Sequence, residues 1–161
     1  MDFSGQFSTR TSTETAAKIL TDVRSISQCL PNLGKLEVVS DDEFFATFKV
    51  DLSDIAGRMR LDYLSRLSVR MHFKYLEKRI DAIVLEGTGR AAGSKLDITL
   101  HLKINQGKDE SLVAWTAQAE FGPLLKLLGD KIIRDVSTTM IDDLTDCLTK
   151  LLNSSGTAVI N

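Results

Sequence analysis

Along the middle of the chain, from about residue 35 to 121, apolar residues recur at every second position; on either side they recur every three or four. The cleanest stretch sets Leu96, Ile98, Leu100, Leu102 and Ile104 against Lys95, Asp97, Thr99, His101 and Lys103. Such alternation predicts an antiparallel strand with one buried and one wet face. Phe44, Ala46, Phe48 and Val50 predict a second strand after an Asp41-Asp42 turn, and Leu67, Val69, Met71 and Phe73 a third. Leu36 and Val38 start an earlier strand, and Ile80 to Leu85 forms a short apolar one. The last strand places Val113, Trp115, Ala117, Ala119 and Phe121 together on one side. Residues 53–62 are mixed, and Ser53 to Arg60 reads as a loop.

Helical periods flank this region. Phe3, Gly5 and Phe7 alternate in a first strand; Thr11-Ser12-Thr13-Glu14 then has the form of a capping box, with Thr11 as the cap. Ala16, Ala17, Ile19, Leu20 and Val23 follow on one side of a helix, and a second short helix is expected from Val23 to Cys29, ended by Pro31. At the other end, Gly122-Pro123 opens a helix whose stripe runs through Leu124, Leu128, Ile132, Val136, Met140, Leu144, Leu148 and Leu151. It is expected to continue unbroken to about Leu152, with Asp130–Arg134 and Asp146–Lys150 pairs on its wet side and Asn153 to Gly156 ending it. No helices separate the later strands, so the predicted fold is α+β: a curved antiparallel sheet of about seven strands around one long C-terminal helix. One domain spans residues 1–161, the last few frayed. A strongly curved sheet around one helix leaves space between them, the natural place for a ligand.

Composition narrows the functional classes. The net charge of −2 comes from 20 basic and 22 acidic side chains, with no Lys/Arg run, so nucleic-acid binding is not expected. Cys29 and Cys147 fit no metal spacing and read as two free, half-buried thiols in a reducing cytoplasm. Met1-Asp2-Phe3-Ser4-Gly5 has no leader character and no apolar stretch approaches a bilayer span, so a cytoplasmic location is expected. The sequon at Asn153-Ser154-Ser155 carries no weight without an export signal.

Candidate chemistry is sparse. Gly87-Thr88-Gly89-Arg90-Ala91-Ala92-Gly93 has its third glycine one residue late for a dinucleotide loop and precedes a strand, so it reads as a bend or bulge. His72 and His101 fall on the polar faces of their strands, which makes them surface residues rather than a metal pair. Asp41-Asp42 reads as a turn, Asp142-Asp143 as a solvated helix face, and Glu86 as a lone carboxylate. These residues form no catalytic or metal-binding set, and an enzyme is not expected.

Several segments in order resemble the carbon monoxide dehydrogenase G-subunit family, within the START-like helix-grip superfamily. They are Phe3-Ser4-Gly5-Gln6-Phe7, Cys29-Leu30-Pro31-Asn32, Glu86-Gly87-Thr88-Gly89 with Gly93, Ala114-Trp115-Thr116-Ala117, Phe121-Gly122, and Leu125 to Gly129. The resemblance implies a helix-grip fold and a non-catalytic accessory protein holding a lipid-like or quinone-like molecule in an apolar cavity. It implies no covalent cofactor. It also implies an association with a carbon monoxide dehydrogenase-like molybdenum enzyme, with membrane contact at most peripheral. The alternative is a docking or assembly factor for such an oxidoreductase, its cavity incidental. Strand parity, the helix stripe and the likeness together select Phe48, Val69, Met71, Leu85, Ile98, Leu100, Trp115, Ala117, Leu128, Ile132 and Met140 as the cavity lining. The chain departs from the family pattern at Leu64-Ser65-Arg66-Leu67, which lacks the expected glycines, and in stopping soon after the helix at Ala158-Val159-Ile160-Asn161.

Overall fold

A computed structural model describes residues 1–52 and 66–160, with side chains through Ser154. Seven antiparallel strands form one sheet: β1 (Asp2–Thr9), β2 (Leu33–Ser40), β3 (Glu43–Asp51), β4 (Arg66–Arg79), β5 (Ala82–Ala91), β6 (Ser94–Gln106) and β7 (Ser111–Phe121). Their order is β1-β7-β6-β5-β4-β3-β2, so β2 to β7 meander and β1 closes onto β7 at the far edge. The expected loop from Ser53 to Arg60 lies outside the described residues, as do Leu64 and Ser65. Between β1 and β2, helices α1 (Thr13–Leu20) and α2 (Val23–Ser27) carry the chain from one edge to the other. The cap of α1 is Ser12, not Thr11: its hydroxyl accepts from the Thr15 amide at 3.2 Å. Thr11 is instead buried, its carbonyl accepting from Ser111 Oγ at 2.6 Å.

The alternating residues share one face, as their periodicity predicts. Across the strands, Ala46, Met71, Gly89, Leu96 and Phe121 stand in register, and so do Tyr75, Leu85, Leu100, Ala117 and Phe3. This face, with Ala16, Leu20, Val23 and Ile26 from α1 and α2, makes the core. Burial pushes the Tyr75 phenol far above its ordinary pKa, with Asp22 adding to the shift, and the neutral hydroxyl donates to Leu20 O at 2.7 Å.

Three local expectations are corrected. Gly87 and Gly89 mark no bend or bulge, since β5 runs through both. They make room for large neighbours: a Cβ on Gly87 would lie 2.6 Å from Phe73 Cε1, and one on Gly89 meets the Arg70 carbonyl oxygen and Met71 Sδ. The bulge falls in the partner strand between Tyr75 and Glu77, and the reversal at Ala92-Gly93, with φ of 53° and 77°. Two successive positive φ values suit a tight hairpin. Gly89→Ala is therefore expected to cost about 1–3 kcal/mol, read as a fall in the thermal midpoint; an unchanged midpoint would refute this packing role.

The long helix is broken as well. Pro123 opens a four-residue helix α3 (Pro123–Lys126), Gly129 turns the chain with φ of 91°, and α4 (Asp130–Ile160) follows, running past the expected end at Asn153 to Gly156. Glycine supplies the left-handed residue that ends a helix without steric cost.

The third correction concerns the cysteines. Cys29 and Cys147 are disulfide-bonded, with Cα atoms 5.4 Å apart, inside the range that such a bond requires. A separation of 118 residues hid the pair, because only the crossing of α1 and α2 brings Cys29 against the later turns of α4. A disulfide persists where thiols are not kept reduced, so the cysteines no longer argue for a reducing compartment. No described helix is long and apolar enough to cross a membrane.

Candidate ligand cleft between the sheet and the last helix

Two anchors set α4 over the inner face beside β1. Near its start, the Arg134 guanidinium lies 5.2 Å from the centre of the Phe3 ring and Nη1 donates to Asp2 O at 3.3 Å. Near its end, Asn153 Oδ1 accepts from the Arg10 amide at 2.9 Å. From Arg134 to Asn153 the helix rises about 28 Å at 1.5 Å per residue, and from Asp2 to Arg10 an extended strand covers about 26 Å. Helix and strand therefore run side by side in the same direction. Arg134 and Asp130 do not form the expected helical pair, because Arg134 is committed to β1; the ion pair on that turn is Lys131–Asp135, at 3.2 Å.

Packing along α4 is uneven. Ile132, Ile133 and Val136 at one end join the core, as do Leu148 and Leu152 at the other, where the disulfide ties the helix down. Met140 and Leu144, between them, are half-buried and stand outside that core cluster. The sheet opposite behaves alike: Phe3, Trp115 and Ala117 face inward yet stay half-buried and outside the cluster. Ile98, Leu100 and Leu102 are also half-buried, packed against the core on one side. Among the described residues α4 thus packs into the core around Ile133 and again around Leu152, while the stretch between them and the inward residues of β1 and β7 keep accessible area.

The residues selected from sequence divide accordingly. Phe48, Val69, Met71, Leu85 and Leu128 are buried in the core, at 9% exposure or less. Ile98, Leu100 and Ile132 pack against that core while half-buried, and Trp115, Ala117 and Met140 are half-buried and stand outside it. Phe3 and Leu144 are likewise half-buried outside the core and were not selected, although the helix stripe and the parity of β1 carried the signal for them.

The outer face is chemically different. His72 stacks on Phe45 with centroids 4.5 Å apart, and its Nε2 lies 3.3 Å from Glu43 Oε2. His101 joins Lys103, Ser4, Gln6 and Thr116 around an open groove of about 550 Å³. Gly5, Leu102 and Trp115 also line that groove, and no α4 residue does. Among the described residues, no three His, Cys, Asp or Glu come together to hold a metal ion.

A family model described as the G subunit of carbon monoxide dehydrogenase (CoxG) matches residues 5–153. Comparison with curated proteins gave no match. Solved structures share the fold across nearly the whole chain. A conserved protein from Geobacillus kaustophilus superposes with a TM-score of 0.79 at 15% identity, covering 96% of this chain and 97% of that one. A START superfamily protein from Mycobacterium smegmatis gives 0.65 at 11% identity, covering 95% and 97%. The di-domain ARO/CYC StfQ from the steffimycin biosynthetic pathway gives 0.60 at 16% identity, over 96% of this chain and 51% of that protein. Similarities at such identities establish the helix-grip, START-like fold and nothing finer.

Proposed function

Because this chain belongs to the CoxG family, that of the carbon monoxide dehydrogenase G subunit, we propose that it is a non-catalytic accessory protein that holds a lipid-like or quinone-like molecule between the sheet and α4. The observation that supports this reading is the run of half-buried apolar residues outside the core, Met140 and Leu144 on α4 and Phe3, Trp115 and Ala117 on the inner face, between two stretches of α4 that pack into the core. A ligand filling that space removes apolar surface from water at about 25 cal/mol per Å², less the cost of association. Among the described residues of the inner face, no acid–base pair or nucleophile is placed to do chemistry on such a molecule. The work is holding and handing over, with a carbon monoxide dehydrogenase-like molybdenum enzyme as the partner; the family description, a subunit of carbon monoxide dehydrogenase, supports this reading.

The direct test is to purify the protein without detergent, extract it with organic solvent, and compare the extract by mass spectrometry with a mock purification. One enriched isoprenoid quinone or lipid, near one per chain, is the expected result. An empty extract favours the second reading, docking onto the oxidoreductase with the cleft incidental. Leu124 and Leu127, 39% and 53% exposed at and just after α3, support that reading as an apolar contact point.

A further inference from the structure

Among the described residues the inner face of the sheet carries few polar side-chain groups, and most are either satisfied or shut away. The Tyr75 hydroxyl donates to Leu20 O, and Ser111 Oγ to Thr11 O. Thr9 and Ser94 have no hydrogen-bond partner, but they are only 2% and 3% exposed and stand at opposite ends of the strand ladders. Trp115 differs from all of these. It is half-buried outside the core cluster, in register with Leu102 on one side and Gly5 on the other. Its indole N–H has no hydrogen-bond partner among the described residues.

Gly5 explains the placement of the ring. A Cβ there would sit 2.8 Å from Trp115 Cζ2 and 3.1 Å from Nε1, so the indole occupies the room that any larger residue would take. Counting about 10 Å along β1 from Asp2 and the same distance along α4 from Arg134 sets Gly5 opposite Ile141, between Met140 and Leu144. On this count the donor lies level with the stretch of α4 that carries Met140 and Leu144. An indole N–H in an apolar site favours an acceptor, and among the described residues a charged acceptor would meet no free counter-charge there: Arg134 is exposed and engaged with Phe3 and Asp2.

We propose that Trp115 Nε1 is the specificity point of the cleft, selecting an uncharged, mainly apolar molecule that bears an accepting oxygen, such as a carbonyl, over a plain hydrocarbon. This rests on the reading that the cleft holds an apolar ligand, and it adds the polar feature that the ligand must carry.

The test uses a matched pair of probes, a long-chain methyl ketone and the terminal alkene of equal length, each displacing N-phenyl-1-naphthylamine from the protein. Wild type should bind the ketone about 3- to 10-fold more tightly, the range of one neutral hydrogen bond. Trp115→Phe, which keeps a ring but removes the donor, should abolish that preference, read as the ratio of the two affinities, so that a change in lining area common to both probes cancels. Gly5→Ala, which displaces the indole without removing it, should do the same and stands in if the first variant folds poorly by circular dichroism. Equal binding of both probes by wild type, or a loss in the variants that falls on both probes alike, overturns the proposal while leaving the cleft intact as a ligand site. Failure of wild type to bind the dye or either probe overturns the ligand-holding reading itself.

Discussion

Cutting the Cys29–Cys147 bond is expected to destabilise the protein by about 2–4 kcal/mol, the common range for a native disulfide. The bond closes a loop of 118 residues, and a loop of that size puts the chain-entropy contribution near the top of the scale, at about 5 kcal/mol. For a chain of this length, such a loss lowers the thermal midpoint by roughly 5–15 °C. The comparison to make is calorimetry of the oxidised protein against the same protein in a dithiol, alongside the Cys29→Ala, Cys147→Ala double variant. Coincident melting of the three would show that the bond does not hold the fold together. The effect should also be local. Cys147 lies in the later part of α4, next to the segment that packs into the core through Leu148 and Leu152. Amide exchange should therefore rise first in the last described turns of α4, before the strands.

The second large effect concerns the cleft. Ala117 stands in register between Leu100 and Phe3, half-buried outside the core cluster. Ala117→Trp adds an indole to that space and should lower affinity for a lipid-like or quinone-like ligand at least tenfold, because the side chain and the ligand compete for one volume. In a filled core the same change would force side chains off their rotamers and cost about 1–3 kcal/mol or more. In an open cleft the added bulk buries itself, and the midpoint should hold or rise. Affinity and melting temperature measured on one variant thus separate the two. Lost binding with an intact fold supports the cleft. Unchanged affinity removes Ala117 from the lining, and a collapsed midpoint shows that no space was there.

Much of this architecture was legible in the residues. Period-two patterning put Leu96 to Ile104 and Val113 to Phe121 on one face because a strand presents alternate residues to opposite sides. That rule needs no partner to hold. The i+4 stripe from Leu128 to Leu148 likewise identified the gripping helix before any contact was known. Local steric detail was harder to see. Gly87-x-Gly89 looked like a kink because glycine is read by default as backbone freedom. Its role is to leave room for Phe73 and Met71 from the adjacent strand, which no window on β5 contains. Gly129 went unread for the opposite reason, since the apolar stripe runs across it without interruption while its φ of 91° breaks the helix. Within the lining, parity gave the facing of each residue but not its depth, which is why Met71 and Ala117 looked alike.

The sequence by itself determined the succession of strands and helices and the inward face of the strictly alternating strands. These follow from the periods of 2 and 3.6 that backbone geometry imposes on each element alone. Only the tertiary structure decided which inward residues are buried in the core and which stay half-buried outside it, that Cys29 meets Cys147, and that Trp115 lies across Gly5 with its N–H unpaired among the described residues. Each of those depends on how far α4 stands from the sheet and on where α1 and α2 cross it. Such distances are set by side chains remote in the chain packing together, which a local pattern does not encode.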